Sequence, residues 1–306
     1  MIAHAFFEAD KQEALQSVAN KPSRALYWMS RVGKILECGR WGVYSNLDIP
    51  QEPPYPRIMR VFRNGSYVDQ RLKEQASLIV PNFKNVDMRL EYEILPGHTV
   101  SGKIDGMIDP SPYGKTIVEF KGLSTGGYNR GTVGDIDITY QVQAVLYALA
   151  SDAKAIDFVI EHKETQQIIE ILYVKDGEAF TASIERYRDS ALLDYVTIEN
   201  AIPFNLIDDL KERLELVKSV SSIEDAKKIF TVPHDPWKCH NCDGQGFKVY
   251  KKGSAPCNVC KGTGLEPEPK LLYPCSYCPY KSVCFPNQKM EIEGGKPVFY
   301  LKTEGE

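Results

Sequence analysis

Gly102-Lys103-Ile104-Asp105-Gly106 and Val118-Glu119-Phe120-Lys121 decide how this chain is read. The first lies in Thr99 to Ile108, where apolar and polar residues alternate, and the second ends a similar run, Lys115 to Lys121. Alternation of this period predicts strands. Asp109-Pro110-Ser111-Pro112-Tyr113-Gly114 between them reads as a turn short enough to pair the strands and bring Asp105 beside Glu119. Side chains alternate across a strand, so Glu119 and Lys121 share a face. Two carboxylates so placed suit a hard cation such as Mg²⁺. Such a cation makes water a better nucleophile and stabilises charge on a phosphate under attack. Lys121 would orient the water or neutralise the phosphate. Standing alone, Glu-x-Lys in a strand is most often a solvated face.

Working outward, a helix is predicted from about Asp137 to Ala150, and its Gln143 and Tyr147 share a face at i, i+4. Upstream, Arg60 to Val80 reads as a helix holding Gly65-Ser66-Tyr67-Val68-Asp69. Residues 1 to about 48 read as helical, with Leu26, Met29, Val32, Ile35 and Leu36 in rhythm, and Pro50 to Pro56 breaks the chain. Met88 to Leu95 is a further strand, Gly122 to Gly134 a glycine-rich loop, and Ile156–His162 with Gln167–Val174 a hairpin. The 180s and 190s are expected to be helical, and Ile207 to Lys228 one long amphipathic helix. His98 is expected in an exposed loop, and Lys163 near a hairpin tip receives no chemistry. The order of elements predicts an α/β core with a cysteine-rich module after it.

The chain has 306 residues, 43% hydrophobic and 25% charged, enough to bury a core. No apolar run approaches the ~20 residues of a membrane helix. The opening Met1 to Asp10 lacks the pattern of a signal peptide, so a cytoplasmic protein is expected, in a bacterium or a phage-infected host. A net charge of −4 does not mark a nucleic-acid binder, but binding depends on local patches. Between Trp237 and Lys289 eight lysines face three acids, a locally basic segment that is equally well read as solvated surface.

Seven of the eight cysteines lie between residues 239 and 284, and metal ligation explains them better than disulfides. Cys239-His240-Asn241-Cys242 and Cys257-Asn258-Val259-Cys260, fourteen residues apart, form a zinc-ribbon signature. Each continues as CxxCxGxG, through Gly244 and Gly246 or Gly262 and Gly264, and so resembles the zinc repeats of DnaJ-type co-chaperones. No His-Pro-Asp tripeptide supports a J-domain. Lys248, Lys251 and Lys252 of this insertion could touch DNA, and a purely structural knob is at least as good a reading.

Asp105, Glu119-x-Lys121 and Gln143-x-x-x-Tyr147 together resemble the PD-(D/E)XK nuclease superfamily, RecB-like branch, which includes CRISPR-adaptation nucleases and phage-type exonucleases. The resemblance implies a restriction-endonuclease-like α/β core: a mixed central sheet flanked by helices, with the ribbon inserted. It implies that Asp105 and Glu119 bind Mg²⁺ or Mn²⁺, that Lys121 assists chemistry, and that Gln143 and Tyr147 position DNA. Relatives often carry Gly-x-x-x-His upstream; here Asp69 stands in the histidine's place as a candidate ligand. Cys275-x₂-Cys278-x₅-Cys284 with Cys38-Gly39-Arg40 resembles the iron–sulfur members, implying a [4Fe–4S] cluster on Cys38, Cys275, Cys278 and Cys284. Zinc at those four is the alternative, and a mixed partition drawing on Cys239 or Cys242 stays open. The expected regions are 1–56 helical, 57–232 nuclease core, 233–270 ribbon and 271–306 cluster motif with tail. The expected activity is a DNA exonuclease acting on ends, single-stranded ones included, with a recombination or single-strand-binding partner and no membrane. Alternatives are a CRISPR-adaptation-like trimming nuclease, a non-catalytic recombination adaptor and, on the ribbon alone, a client-binding module.

Overall fold

The computed structural model describes residues 2–19, 25–177, 179–188, 191–203, 205–233, 235–250, 253–266, 269–294 and 296–301. Lys251 and Lys252 lie outside them. The chain folds into two compact units. One comprises Pro22–Asp48 and Arg57–Ser221; the other comprises Met1–Lys21, Ile49–Pro56 and Ser222–Glu306. The first 56 residues are therefore shared between the two.

In the larger unit the helices are α2 (Met29–Val32), α3 (Lys34–Glu37), α4 (Gly39–Asn46), α5 (Pro56–Ile79), α6 (Thr125–Gly131), α7 (Ile138–Ser151) and α8 (Asn205–Ser219). α1 (Ile2–Val18) belongs to the smaller unit. A seven-stranded mixed sheet has the order β1 (Phe83–Lys84), β4 (Gly106–Ser111), β5 (Gly114–Leu123), β6 (Ala155–His162), β7 (Ile168–Asp176), β8 (Ala179–Arg188) and β9 (Ala191–Pro203). β5 and β6 are parallel and every other neighbouring pair is antiparallel. β2 (Arg89–Leu95) and β3 (His98–Lys103) form a separate hairpin.

Alternation along β5 builds both faces. Val118 and Phe120 pack against Val68, Leu72 and Ala76 of α5, joined by Ile108, Val159 and Ile168. Glu119 and Lys121 turn to the opposite face, where α7 lies. Asp137 starts α7 by accepting the Thr139 amide at 3.0 Å. Capping of this kind satisfies one of the helix's orphan N–H groups. α7 then buries Val142 through Ala148 without a break. Pro56 opens α5, where its missing N–H costs nothing.

Several expectations are corrected. Residues 179–188 and 191–203 form β8 and β9, not helix, because β8 pairs with β7 on one side and with β9 on the other. The expected single helix from Ile207 breaks at residues 220–222, where Ser222 caps a new helix, α9 (Ile223–Ile229), by accepting the Asp225 amide. The glycine-rich loop contains α6. Residues 109–111 continue β4 instead of turning. His98 is buried in β3, stacked on Tyr27 and bonded to the Leu26 carbonyl at 3.1 Å.

The smaller unit carries the ribbon hairpin, β10 (Phe247–Tyr250) with β11 (Gly253–Pro256), the short helix α10 (Lys281–Cys284), and a hairpin of β12 (Gln288–Glu293) with β13 (Lys296–Leu301). Residues 49–56 are fastened within it. Glu52 accepts Lys281 Nζ and the Ser282 amide, both at 2.7 Å, and the Glu52 amide donates to Pro279. Among the described residues no helix is long and apolar enough to cross a membrane.

Candidate functional site

Gly102 and Gly106 shape the connection that carries Asp105 to the start of β4. A Cβ on Gly102 would stand 2.7 Å from the Tyr147 hydroxyl, and one on Gly106 would run into the Phe83 ring. Bare backbone at both positions lets aromatic rings close over the strand connection. Asp105 Oδ2 accepts the Phe120 amide at 2.9 Å, which pins the carboxylate beside β5.

Glu119 is 1% exposed. Its Oε2 accepts Lys121 Nζ at 2.7 Å and Gln143 Nε2 at 3.2 Å, while its Oε1 has no hydrogen-bond partner. Burial pushes the Glu119 carboxyl up to about 7, with Lys121 opposing and Asp105 adding. For Lys121 burial works against the charge, but Glu119 and Asp105, the latter 3.9 Å away, hold it above the ordinary lysine range. The Lys121 ammonium also lies 5.2 Å from the centre of the Tyr140 ring, within cation–π range.

Gln143 and Tyr147 are both buried. Gln143 donates to Glu119 and to the Tyr147 hydroxyl, and that hydroxyl donates to the Lys103 carbonyl at 2.8 Å. The pair thus links the Glu119 strand to the residues just before Asp105. Burial, with the Glu119 charge, holds the Tyr147 phenol above the usual tyrosine range. Asp69 comes to the same cluster from α5: its Oδ2 lies 3.0 Å from Lys73 Nζ, which also contacts Asp105. Burial and the Asp105 charge raise the Asp69 carboxyl. Asp69, Asp105 and Glu119 are held through ammonium groups and not by direct convergence.

The ribbon cysteines do converge. Cys239, Cys242, Cys257 and Cys260 are buried with all ligand atoms within 4.8 Å of one another, the one such group of three or more among the described residues. Cys239 and Cys257 sulfurs stand 3.9 Å apart, Cys242 and Cys260 sulfurs 3.6 Å. The two CxxCxGxG segments fold alike: Gly246 N–H donates to Cys242 Sγ and Gly264 N–H to Cys260 Sγ, each at 3.3 Å. Gly246 at φ +80° and Gly264 at φ +74° face each other's segments so closely that a Cβ on either would meet a backbone carbonyl oxygen. Backbone N–H groups and the Asn241 amide draw the Cys257 thiol down to about 6. These four residues could hold a metal ion.

Cys275 is buried and Cys278 and Cys284 half-buried around α10, in the same unit as the ribbon. Cys38 stands at the start of α4 in the other unit.

No family model matches the chain, and no curated protein is similar to it in sequence. Among solved structures it is similar to the protein SSO0001, at 14% identity over 79% of this chain and 93% of that one, with a TM-score of 0.39.

Sequence reasoning missed Lys73, Asp87 and Tyr140. Tyr140 sits one turn before Gln143, and Lys73 one turn after Asp69, so helical spacing from residues already singled out would have found both. Asp87 lies in an irregular segment before β2 and carried no such signal.

Proposed function

We propose that this chain is a divalent-metal-dependent DNA nuclease of the PD-(D/E)XK type, acting on DNA ends. The observation that carries the reading is the buried Glu119 Oε1, an acceptor without a partner in a cluster that also holds Asp105 and Lys121. A buried polar atom left without a partner is costly, and a cation beside it would remove that cost.

Asp105 and Glu119 would hold the Mg²⁺ or Mn²⁺, while Asp69, the third candidate ligand, faces Lys73. The bound cation supplies Lewis acidity and charge neutralisation for phosphodiester hydrolysis. Lys121, fixed between Glu119 and the Tyr140 ring, keeps its proton and presents positive charge to the phosphate. Gln143 holds Glu119 in place and Tyr147 ties it to the Lys103 backbone, so the carboxylates enter the reaction already oriented.

The exposed side of α5 supports a polyanionic substrate. Arg60, Arg63 and Tyr67 are exposed at i, i+3 and i+7, one face of the helix that bears Asp69. Arginine with an exposed aromatic ring is the pairing that grips a phosphate backbone and stacks on a base.

For the ribbon we propose zinc. Four sulfurs about 2.3 Å from a tetrahedral zinc stand roughly 3.8 Å apart, matching the 3.6 and 3.9 Å separations. For Cys275, Cys278 and Cys284, the resemblance to iron–sulfur nucleases implies a [4Fe–4S] cluster, with Cys38 as its fourth ligand. Elemental and sulfide analysis of protein prepared without oxygen is expected to find four irons and one zinc per chain; two zincs and no sulfide would replace the cluster with zinc.

The activity test uses end-labelled linear and covalently closed DNA with Mg²⁺, Mn²⁺ or EDTA. Metal-dependent loss of linear DNA is expected, with closed circles spared. Glu119→Gln and Lys121→Ala should each lower the rate by about 10² to 10⁴. Nicked circles would make the protein an endonuclease. DNA held without cleavage under every condition would overturn the enzyme in favour of an adaptor.

A further inference from the structure

Lys73 stands at the centre of three carboxylates. Its Nζ lies 2.9 Å from Asp105 Oδ1, 3.0 Å from Asp69 Oδ2 and 3.0 Å from Asp87 Oδ1, with the side chain 12% exposed. An ammonium has three donors, so all three are used. Charge-assisted bonds of this length are the strong kind. Asp105 is divided in consequence: Oδ1 faces Lys73, while Oδ2 takes the Phe120 amide and lies toward Lys121.

The charge balance of the cluster is specific. Asp69, Asp87, Asp105 and Glu119 oppose Lys73 and Lys121, so four carboxylates against two ammonium groups leave two negative charges. One divalent cation cancels them, so a second would meet a cluster with no net negative charge, whereas without Lys73 it would still meet one. Lys73 Nζ already fills the space between Asp69 Oδ2 and Asp105 Oδ1. The unpartnered Glu119 Oε1 belongs to the other part of the cluster.

We propose that Lys73 is a resident cation that fills one of two cation positions around Asp105, so that the site takes a single divalent metal ion. Lys73 is a positioning residue: it holds Asp69 and Asp105 in register, and it sets the number of metals. The inference rests on the metal-dependent reading above, but its test needs neither DNA nor turnover.

The measurement is Mn²⁺ binding to the full zinc-loaded chain, counted by paramagnetic resonance of free ion and by calorimetry. Wild type is expected to take one Mn²⁺, and Glu119→Gln to lose it, which assigns the ion to this site. Lys73→Met should take two, the first about tenfold more tightly because the cluster is more negative. Lys73→Gln, which keeps polar bonding without charge, should also take two, and guards against a fold lost to methionine. Lys73→Arg should keep one. Two site-bound ions in wild type, or one in both neutral variants, would overturn the role of Lys73 and leave the nuclease reading standing. No Mn²⁺ in wild type would remove the metal site on which both rest. Cleavage that is absent while these stoichiometries hold would sink the nuclease reading alone.

Discussion

At the scale of single residues, Glu119 carries the tension of the site. Burial raises its carboxyl to about 7 from an ordinary 4.5, since the pull of Lys121 does not outweigh lost solvation and the Asp105 charge. An acid raised on folding binds its proton more tightly in the native state. Stability without metal is therefore fullest below pH 4.5 and falls as pH rises toward 7, where the cost of the buried charge becomes complete. The divalent cation of the proposed site would replace that proton. Mn²⁺ affinity of the zinc-loaded protein should climb between pH 5.5 and 7, by up to about tenfold per unit, and level off above that. Melting temperatures without metal should decline over the same window, and saturating Mg²⁺ should remove the decline. Calorimetry at several pH values checks the first, thermal scans the second. A flat affinity profile, or one falling with pH, would mean that Glu119 is not exchanging a proton for the metal.

At the scale of elements, α5 does two jobs with two faces. Val68, Leu72 and Ala76 pack on the sheet, Asp69 and Lys73 reach the carboxylate cluster, and Arg60, Arg63 and Tyr67 stay in solvent. If that outer stripe guides the DNA backbone, replacing both arginines by alanine should flatten the salt dependence of binding. The slope of log affinity against log salt should fall by about 1.4 to 1.8 for two phosphate contacts. Tyr67→Ala should cost about 1 to 3 kcal/mol of single-strand binding while leaving that slope unchanged. Filter binding across a salt series, in the Glu119→Gln background, measures both; unchanged slopes would place the DNA elsewhere. Much of this architecture was legible locally. α5, the β4–β5 pair and α7 follow from strong periodicity, a short connection and the Asp137 cap. What sequence did not show depends on partners distant along the chain. Phe180, Ala182 and Ile184 alternate as a strand does, yet the charged Glu185 to Arg188 stretch masks the pattern. β8 exists because β7 and β9 pair with it. Lys73 looks like any surface lysine until Asp105, far along the chain, folds against it.

At the scale of the whole molecule, the division into two units separates the cysteine ribbon from the carboxylate cluster. The ribbon has almost no apolar core of its own. The cluster at its centre is the four cysteines with Val259 beside them, whereas Phe247, Val249 and Leu265 remain exposed. In such a module the metal's binding free energy is the folding free energy. Stripping the zinc proposed for it should therefore unfold the ribbon, while the larger unit keeps the apolar packing of α5 on β5. Hydrogen exchange read by mass spectrometry separates the two. After chelation, peptides spanning residues 237–265 should lose protection completely, and those covering β5 and α7 should exchange as before. Mn²⁺ binding at the carboxylate cluster should survive as well, because Asp105 and Glu119 are held by Phe120, Lys121 and Gln143 of the larger unit. A ribbon that stays protected after the zinc is gone would show that it folds without metal. Protection lost from β5 and α7 together with the ribbon would mean that the two units unfold as one, and the zinc would then stabilise the carboxylate site from a distance.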